Sequence, residues 1–275
     1  GASPGDGDDY GYVLNGPIGD GIQIGYCAGT GGGWSTELIA HESQIHKVPD
    51  DISDEGAVIL EPAAGGVHTA LKAKIQSGDV VVVQGSGTMG LCSIAAIRQF
   101  TEAGVVIAAA KYPLQRSLAE EFGADIVVEP TELKRAVRQV TGCKMIGNAL
   151  SGGSNVTIDA VGSASSIKTS LEITRPRGRL VMLGMPGVTK VDLTPLWHRE
   201  IEMVGSYTYG TEKLPDGTVT NSYNLAFELV REMKLEKLVT DLYPLDRYKQ
   251  AIRHAAESGP LGGIKIAFDL RGEKR

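Results

Sequence analysis

Three glycines carry the clearest chemical signal in the chain. Gly85, Gly87 and Gly90 close the run Asp79-Val-Val-Val-Val-Gln-Gly-Ser-Gly-Thr-Met-Gly90, in which an apolar stretch feeds directly into G-x-G-x-x-G. Each glycine answers a different need. The first permits a tight turn, the second lets the backbone approach a pyrophosphate, and the third lets a helix lie close to the preceding strand. The amides near Thr88 and Met89 would then face the phosphates, where the helix dipole favours negative charge. Glycine-rich turns without a ligand share this spacing. A strand before the motif and a helix after it separate the two cases, and both are expected here.

The second chemical signal lies at the end of the next strand. A carboxylate about 20 residues past the last glycine would bond the ribose 2′-hydroxyl of NAD. That count reaches Ala110, with Lys111 beside it and Arg116 a few residues on. A small residue leaves room for a 2′-phosphate, and two cations could neutralise it. The expected cofactor is therefore NADP(H), with NAD(H) as the alternative. Lys111 and Arg116 also fit ordinary solvated surface charges.

These residues need a scaffold, and the pattern around them supplies one. Short β-branched runs at 80–84, 105–110, 126–129, 156–160, 180–183 and 201–204 alternate with helical stretches at 90–100, 114–122, 131–140 and 163–174. Gly123 reads as a helix C-cap and Thr131 as an N-cap. Nearly all-apolar strands alternating with helices imply a parallel sheet covered on both faces. The expected fold is α/β, a doubly wound, six-stranded Rossmann sheet. Two helices (221–233 and 246–257) and two strand-like runs (238–242 and 264–270) follow. This tail is expected to return to the N-terminal segment. A strand-like run at 36–40 precedes the sheet, and His41 and His46 are read as flanking a surface strand.

Composition narrows the function classes. The 42% hydrophobic and 22% charged residues are an ordinary globular balance. The net charge of −6, without a Lys/Arg block, argues against a nucleic-acid partner. Apolar runs such as 105–110 are far too short to span a membrane. The acidic, glycine-rich N-terminus lacks the pattern of a signal peptide. Cys27, Cys92 and Cys143 show no ligand spacing and no disulfide framework, so a cytoplasmic location is expected.

An ordered series of motifs resembles the zinc-type medium-chain dehydrogenases/reductases, the alcohol, sorbitol and threonine dehydrogenase group. The series comprises Gly32-Gly-Trp-Ser-Thr-Glu37, His46-Lys-Val-Pro-Asp50, Glu61-Pro62, His68-Thr-Ala-Leu71 and the glycine motif. It continues through Leu118-Ala-Glu-Glu-Phe-Gly-Ala-Asp125, Asp159-Ala-Val-Gly162, Gly178-Arg-Leu-Val-Met-Leu-Gly184 and Gly262-Gly-Ile-Lys265. The resemblance implies a Rossmann domain at 67–210. It also implies a remnant of a GroES-like, β-rich catalytic domain at 1–66, to which 211–275 returns. It implies an oxidoreductase moving hydride between the cofactor and a small alcohol or carbonyl substrate, in a homo-oligomer paired through the sixth strand. Backbone at Ala160, Val161, Gly184 and Met185 would lie beside the cofactor.

Zinc is the further ion that the resemblance implies, with Glu61 as the candidate ligand. A catalytic zinc needs three protein ligands and an open position. The nearby Cys27, His41, His46 and His68 show no ligand spacing with Glu61, so the ligand set is incomplete. The family's front ligands and its four-cysteine lobe are expected to be missing from this chain. Two alternatives therefore stand beside the zinc enzyme: a zinc-free quinone- or enoyl-type reductase, and a non-catalytic dinucleotide-binding remnant. Cys92 reads as core, His68 as packed near the cofactor cleft, and 197–200 as structural.

Overall fold

The computed structural model describes residues 33–38, 40, 45–147, 149–214 and 216–272. The chain divides into two units, Pro62–Tyr207 and the flanking Gly1–Glu61 with Thr208–Arg275.

The central unit is built on one sheet. Its strands are β1 (Val80–Gln84), β2 (Val105–Ala109), β3 (Ile126–Val128), β6 (Ser154–Asp159), β7 (Thr174–Met182) and β8 (Glu202–Gly205), in spatial order β3-β2-β1-β6-β7-β8. Every neighbouring pair is parallel. This is the doubly wound order of two mononucleotide-binding halves, with the order reversing between β1 and β6. Ligands of such sheets bind outside the carboxyl ends of the strands at that reversal. A small hairpin, β4 (Met145–Ile146) with β5 (Ala149–Leu150), precedes β6.

Side-chain chemistry explains the strands. Valines 81–83 of β1 are fully buried, and β-branched residues suit a strand covered on both faces. Helix α2 (Thr88–Phe100) buries Leu91, Cys92, Ile94, Ala95 and Ile97. Helices α4 (Leu133–Thr141) and α5 (Ala164–Ile173) cover the sheet as well. Leu133 and Val137 of α4 pack with Val82, Ile107, Leu150 and Ile173 in one buried cluster. Ile167 and Leu171 of α5 pack with Leu180, Met182 and Ile201 in another. Each such side chain contributes roughly 1.5–3 kcal/mol when fully buried.

Local signals match the helix ends unevenly. Helix α3 (Pro113–Glu121) stops one residue before Phe122, and Gly123 follows at φ +104°, the left-handed backbone that a glycine takes without strain. Ser163 caps α5 in a reciprocal capping box with Ser166. Thr131 does not cap α4. It lies inside a 3-10 turn over Pro130–Glu132, and α4 starts from Glu132 with no side-chain cap. Pro130 opens that turn early and displaces the expected cap.

Helix α1 (Asp54–Lys72) has no counterpart in the sequence reading. It contains Pro62 and three glycines, all poor helix formers, and the unit boundary falls inside it between Glu61 and Pro62. Packing accounts for Gly66: a Cβ there would lie 2.7 Å from the Cys92 carbonyl carbon, so only glycine lets α1 and α2 touch.

The flanking unit holds short elements. Strands β9 (Thr211–Lys213) and β10 (Val219–Asn221) form an antiparallel pair. Asn221 then caps α7 (Ser222–Met233), its Oδ1 accepting from the Tyr223 amide at 2.8 Å. Strands β11 (Val239–Tyr243) and β12 (Lys265–Phe268) pair in parallel, with α8 (Tyr248–Ala256) between them in the chain. Residues 36–38 carry no regular strand. Among the described residues His46 flanks no strand either: its ring stacks on Tyr223 at 4.2 Å with the planes 9° apart. Among the described residues no helix is long and apolar enough to cross a membrane.

Candidate functional site: a glycine-lined cleft at the strand-order reversal

The turn after β1 is shaped by contacts that only glycines allow. Gly85 sits at φ +96°. A Cβ on Gly90 would lie 1.8 Å from the Gly85 carbonyl oxygen, so the start of α2 rests directly on the turn. Gly87 is different, because a Cβ there would meet nothing within 4 Å. Its openness faces a cleft of about 660 Å³ lined by Gly85, Ser86, Gly87, Ala160 and Val161, among others. Gly87 also stands at the N-cap of α2 without a side-chain bond to the first turn. The amides of Thr88 and Met89 therefore begin a helix whose first turn has no acidic residue. The first-turn amides and the positive end of the helix dipole make that position a seat for phosphate.

The opposite lip is tied down by a carboxylate. Asp159, at the end of β6, is fully buried, and its Oδ1 accepts from the amides of Val161 (2.9 Å) and Gly162 (3.0 Å). Gly162 packs against the end of β7, where a Cβ on Gly184 would lie 2.4 Å from the Gly162 amide nitrogen. Gly184 thus permits a backbone-to-backbone contact that holds the lip. Met185 beyond it is 87% exposed. Neither Gly184 nor Met185 lines the cleft.

The two candidate cations part company. Lys111 lines the cleft, its Nζ 5.4 Å from the Tyr112 ring centroid. Arg116 is engaged elsewhere: its guanidinium pairs with Glu129 and donates to the carbonyls of Ala110 (3.3 Å) and Lys111 (3.2 Å). Ala110 is fully buried, and its neighbours Ala109 and Lys111 face the cleft in its place. The cleft adds polar residues that the motif count passed over, namely Gln84, Gln115, Lys134 and Glu172. Lys134 and Glu172 form a 3.4 Å ion pair between α4 and α5. Only Gln84 had a local signal, as a polar residue ending an otherwise all-valine strand.

Glu61 stands in the flanking unit. Its carboxyl pKa is raised by burial, with Lys265 pulling it back down. The Tyr223 hydroxyl is pushed up strongly, first by burial, then by its hydrogen bond with Tyr209 and by the negative charge of Glu61. Tyr209 meets Tyr223 edge-on at 4.9 Å. Among the described residues no group of three His, Cys, Asp or Glu side chains could hold a metal ion. The described surroundings of Glu61 therefore do not make a zinc site. Cys27 and His41 lie outside the described residues. His68 is buried at 6% exposure in the central unit, and Cys92 is core.

Strand order, turn and open helix N-terminus together define a dinucleotide-binding Rossmann domain. Residues 88–221 match the family of zinc-binding dehydrogenases. The chain is 27% identical to sorbitol dehydrogenase of Bacillus subtilis over 217 residues, 78% of this chain and 57% of that protein. It is 26% identical to L-idonate 5-dehydrogenase of Vitis vinifera, over 88% of this chain and 63% of that one. The crystal structure of L-idonate 5-dehydrogenase from Escherichia coli superposes with a TM-score of 0.66 at 25% identity, covering 83% of this chain and 60% of that chain. The chain is thus similar to zinc-binding dehydrogenases over residues 88–221, and it spans less than two thirds of the length of the relatives it matches.

Proposed function

We propose that the chain binds a nicotinamide dinucleotide at the β1–α2 turn and serves an oxidoreductase acting on an alcohol or its carbonyl counterpart. The observation that carries this reading is Gly87, which opens onto the cleft at the N-terminus of α2 with no atom within 4 Å of its absent Cβ. Gly85, Gly87 and the first amides of α2, at Thr88 and Met89, would hold the pyrophosphate. Gly90 seats the helix that presents those amides. Ala160 and Val161 would wall the other side, and Gly184 and Met185 continue that edge. The cofactor supplies hydride transfer. The protein's part is to position it and exclude water around it. Relatives named for sorbitol and L-idonate make polyols the first substrates to assay.

NADP(H) is the preferred cofactor in this proposal, because a lysine rather than a carboxylate follows β2 on the cleft side. Lys111 would meet the 2′-phosphate beside the small Ala110, with Arg116 held behind it by Glu129. Pairing of the sixth strand between copies belongs to the same reading, since β8 is an outer strand of the sheet. A cytoplasmic setting fits Cys92 and Cys143, neither of which is in a disulfide.

A zinc-free reductase of the same superfamily is the second reading, favoured by the missing partners of Glu61 among the described residues. Fluorescence titration with NADPH and NADH, with zinc assayed on the same sample, tests both readings. Tight NADPH binding with one zinc per chain supports the zinc dehydrogenase and gives Glu61 a role at the metal. Binding without zinc supports the second reading. If neither cofactor binds, the dinucleotide reading is lost.

A further inference from the structure

Gln84 is an unusual residue for the floor of this cleft. It ends β1 after three fully buried valines, it is 6% exposed, and it lines the cleft. Its Oε1 is buried and has no hydrogen-bond partner. Among the described residues, the others with such an orphaned side-chain atom are Asp159, Ser170 and Thr208, and none of them lines the cleft; the Arg179 Nη1, without a hydrogen bond, is ion-paired with Glu202. A buried amide oxygen without a donor is a standing cost to the folded chain. Such a residue persists where the missing partner arrives with a ligand.

The neighbouring strand sharpens the requirement. Gln84 is the register partner of Asp159 on β6, and the Oδ2 of Asp159 is also buried without a partner. The protein thus places a buried amide and a buried carboxylate oxygen on register-paired residues, and no other described residue satisfies the Gln84 Oε1 or the Asp159 Oδ2. Phosphate oxygens at neutral pH are acceptors and cannot answer that demand. A sugar hydroxyl can, because it donates and accepts at once and so satisfies the amide whichever way it is turned. On the far side of the turn, Ala110 leaves the usual sugar-binding carboxylate position empty of acceptors.

We propose that Gln84 is a ligand-binding residue that takes a ribose hydroxyl common to NAD(H) and NADP(H). This rests on the dinucleotide reading above. The test separates the two by measuring the free protein as well as the complex. Gln84→Leu removes the orphaned acceptor from an apolar strand. The melting temperature of the ligand-free protein should rise by roughly 2–4 °C. Affinity for NADH and NADPH should fall about tenfold for both, the loss of one hydrogen bond from a buried acceptor. Gln84→Met, unbranched and of similar length, repeats the measurement if leucine packs badly. A lower melting temperature in both variants would mean that Gln84 holds the fold, and would overturn the proposal. So would a higher melting temperature with unchanged affinity. If the wild type binds neither cofactor, the dinucleotide reading fails and this proposal with it, an outcome distinct from wild-type binding that Gln84→Leu leaves unchanged. ADP in the same titration places the bond: a tenfold loss there assigns it to the adenosine ribose, and an unchanged ADP affinity assigns it to the nicotinamide ribose.

Discussion

The two units of the chain make structure from different raw material. In Pro62–Tyr207, strands β1, β2, β3 and β6 are each followed by a helix, and many of the site's contacts join near neighbours. Gly85 touches Gly90, Ser163 caps its own helix through Ser166, and Asp159 ties down residues two and three positions on. In the flanking unit, contacts join the two ends of the described chain. Arg231 holds Asp51 with bonds of 2.6 and 2.9 Å across 180 residues, and Trp34 meets the Phe268 ring at 5.0 Å. Arg271 pairs with Asp54 and Glu55 as well as with Asp269. Local pattern therefore suffices to build the first unit, whereas the second exists only once distant segments meet.

Breaking the local unit at its tightest point should have the largest effect. Gly90→Ala puts a Cβ into the Gly85 carbonyl, where neither partner is a movable side-chain tip. We expect a loss of about 3 kcal/mol in urea unfolding, the upper end for overpacking, together with loss of cofactor binding. Full stability in this variant would mean that the turn and α2 are not seated as described.

Arg199 makes long-range contacts within the central unit. It is 5% exposed and donates to the carbonyls of Leu150 (2.7 Å), Gly152 (2.6 Å) and Thr174 (2.8 Å). Burial lowers its pKa, yet the group remains a cation. Arg199→Met leaves three carbonyls without their donor and should cost about 3 kcal/mol. Cofactor affinity, measured well below the new melting point, should stay within twofold of the wild type, as these bonds lie outside the cleft.

Gly87→Ala separates site from scaffold in the opposite sense. With open space around the new methyl, stability should change by less than about 0.5 kcal/mol, while NADH and NADPH affinities fall about tenfold or more. Equal affinities would show that no phosphate approaches this backbone. Lys111→Met is a smaller probe. One exposed charge contact is worth about 1 kcal/mol, so NADPH should weaken about fivefold and NADH hardly at all. A parallel loss for both cofactors would take Lys111 away from the 2′-phosphate.

The smallest expected effect lies in the flanking unit. One face of the His46 ring is covered by Tyr223, and burial lowers its pKa. The unfolded histidine, near 6.5, takes up a proton more readily than the folded one. Stability from this group is therefore present above that pH and lost as the pH falls through it. A shallow drop in melting temperature between pH 7.5 and 5.5 should flatten in His46→Phe, which keeps the stack. An unchanged slope would assign the drop to other groups.

The sequence by itself determined the strand–turn–helix at residues 80–100 and the parallel alternation around it. Steric limits on Gly85 and Gly90 and the burial of valines 81–83 act within a few residues, so their pattern survives in the one-dimensional text. It also read the helix and strand sequence of the tail, because amphipathic spacing is local. The early strand at 36–40 and the Thr131 cap did not hold, since weak local propensity yields to what a segment packs against. Helix α1 was invisible for the same reason: its proline and glycines argue against a helix until Gly66 is seen against Cys92. Tertiary structure alone decided which charged groups face the cleft. Arg116 and Lys111 are equivalent in sequence, but Glu129 claims one and leaves the other on the lip. It likewise decided that Gln84 ends its strand with a buried acceptor and no donor. Whether a polar atom is satisfied depends on every neighbour within about 3.5 Å, and those neighbours come from strands far apart in the chain.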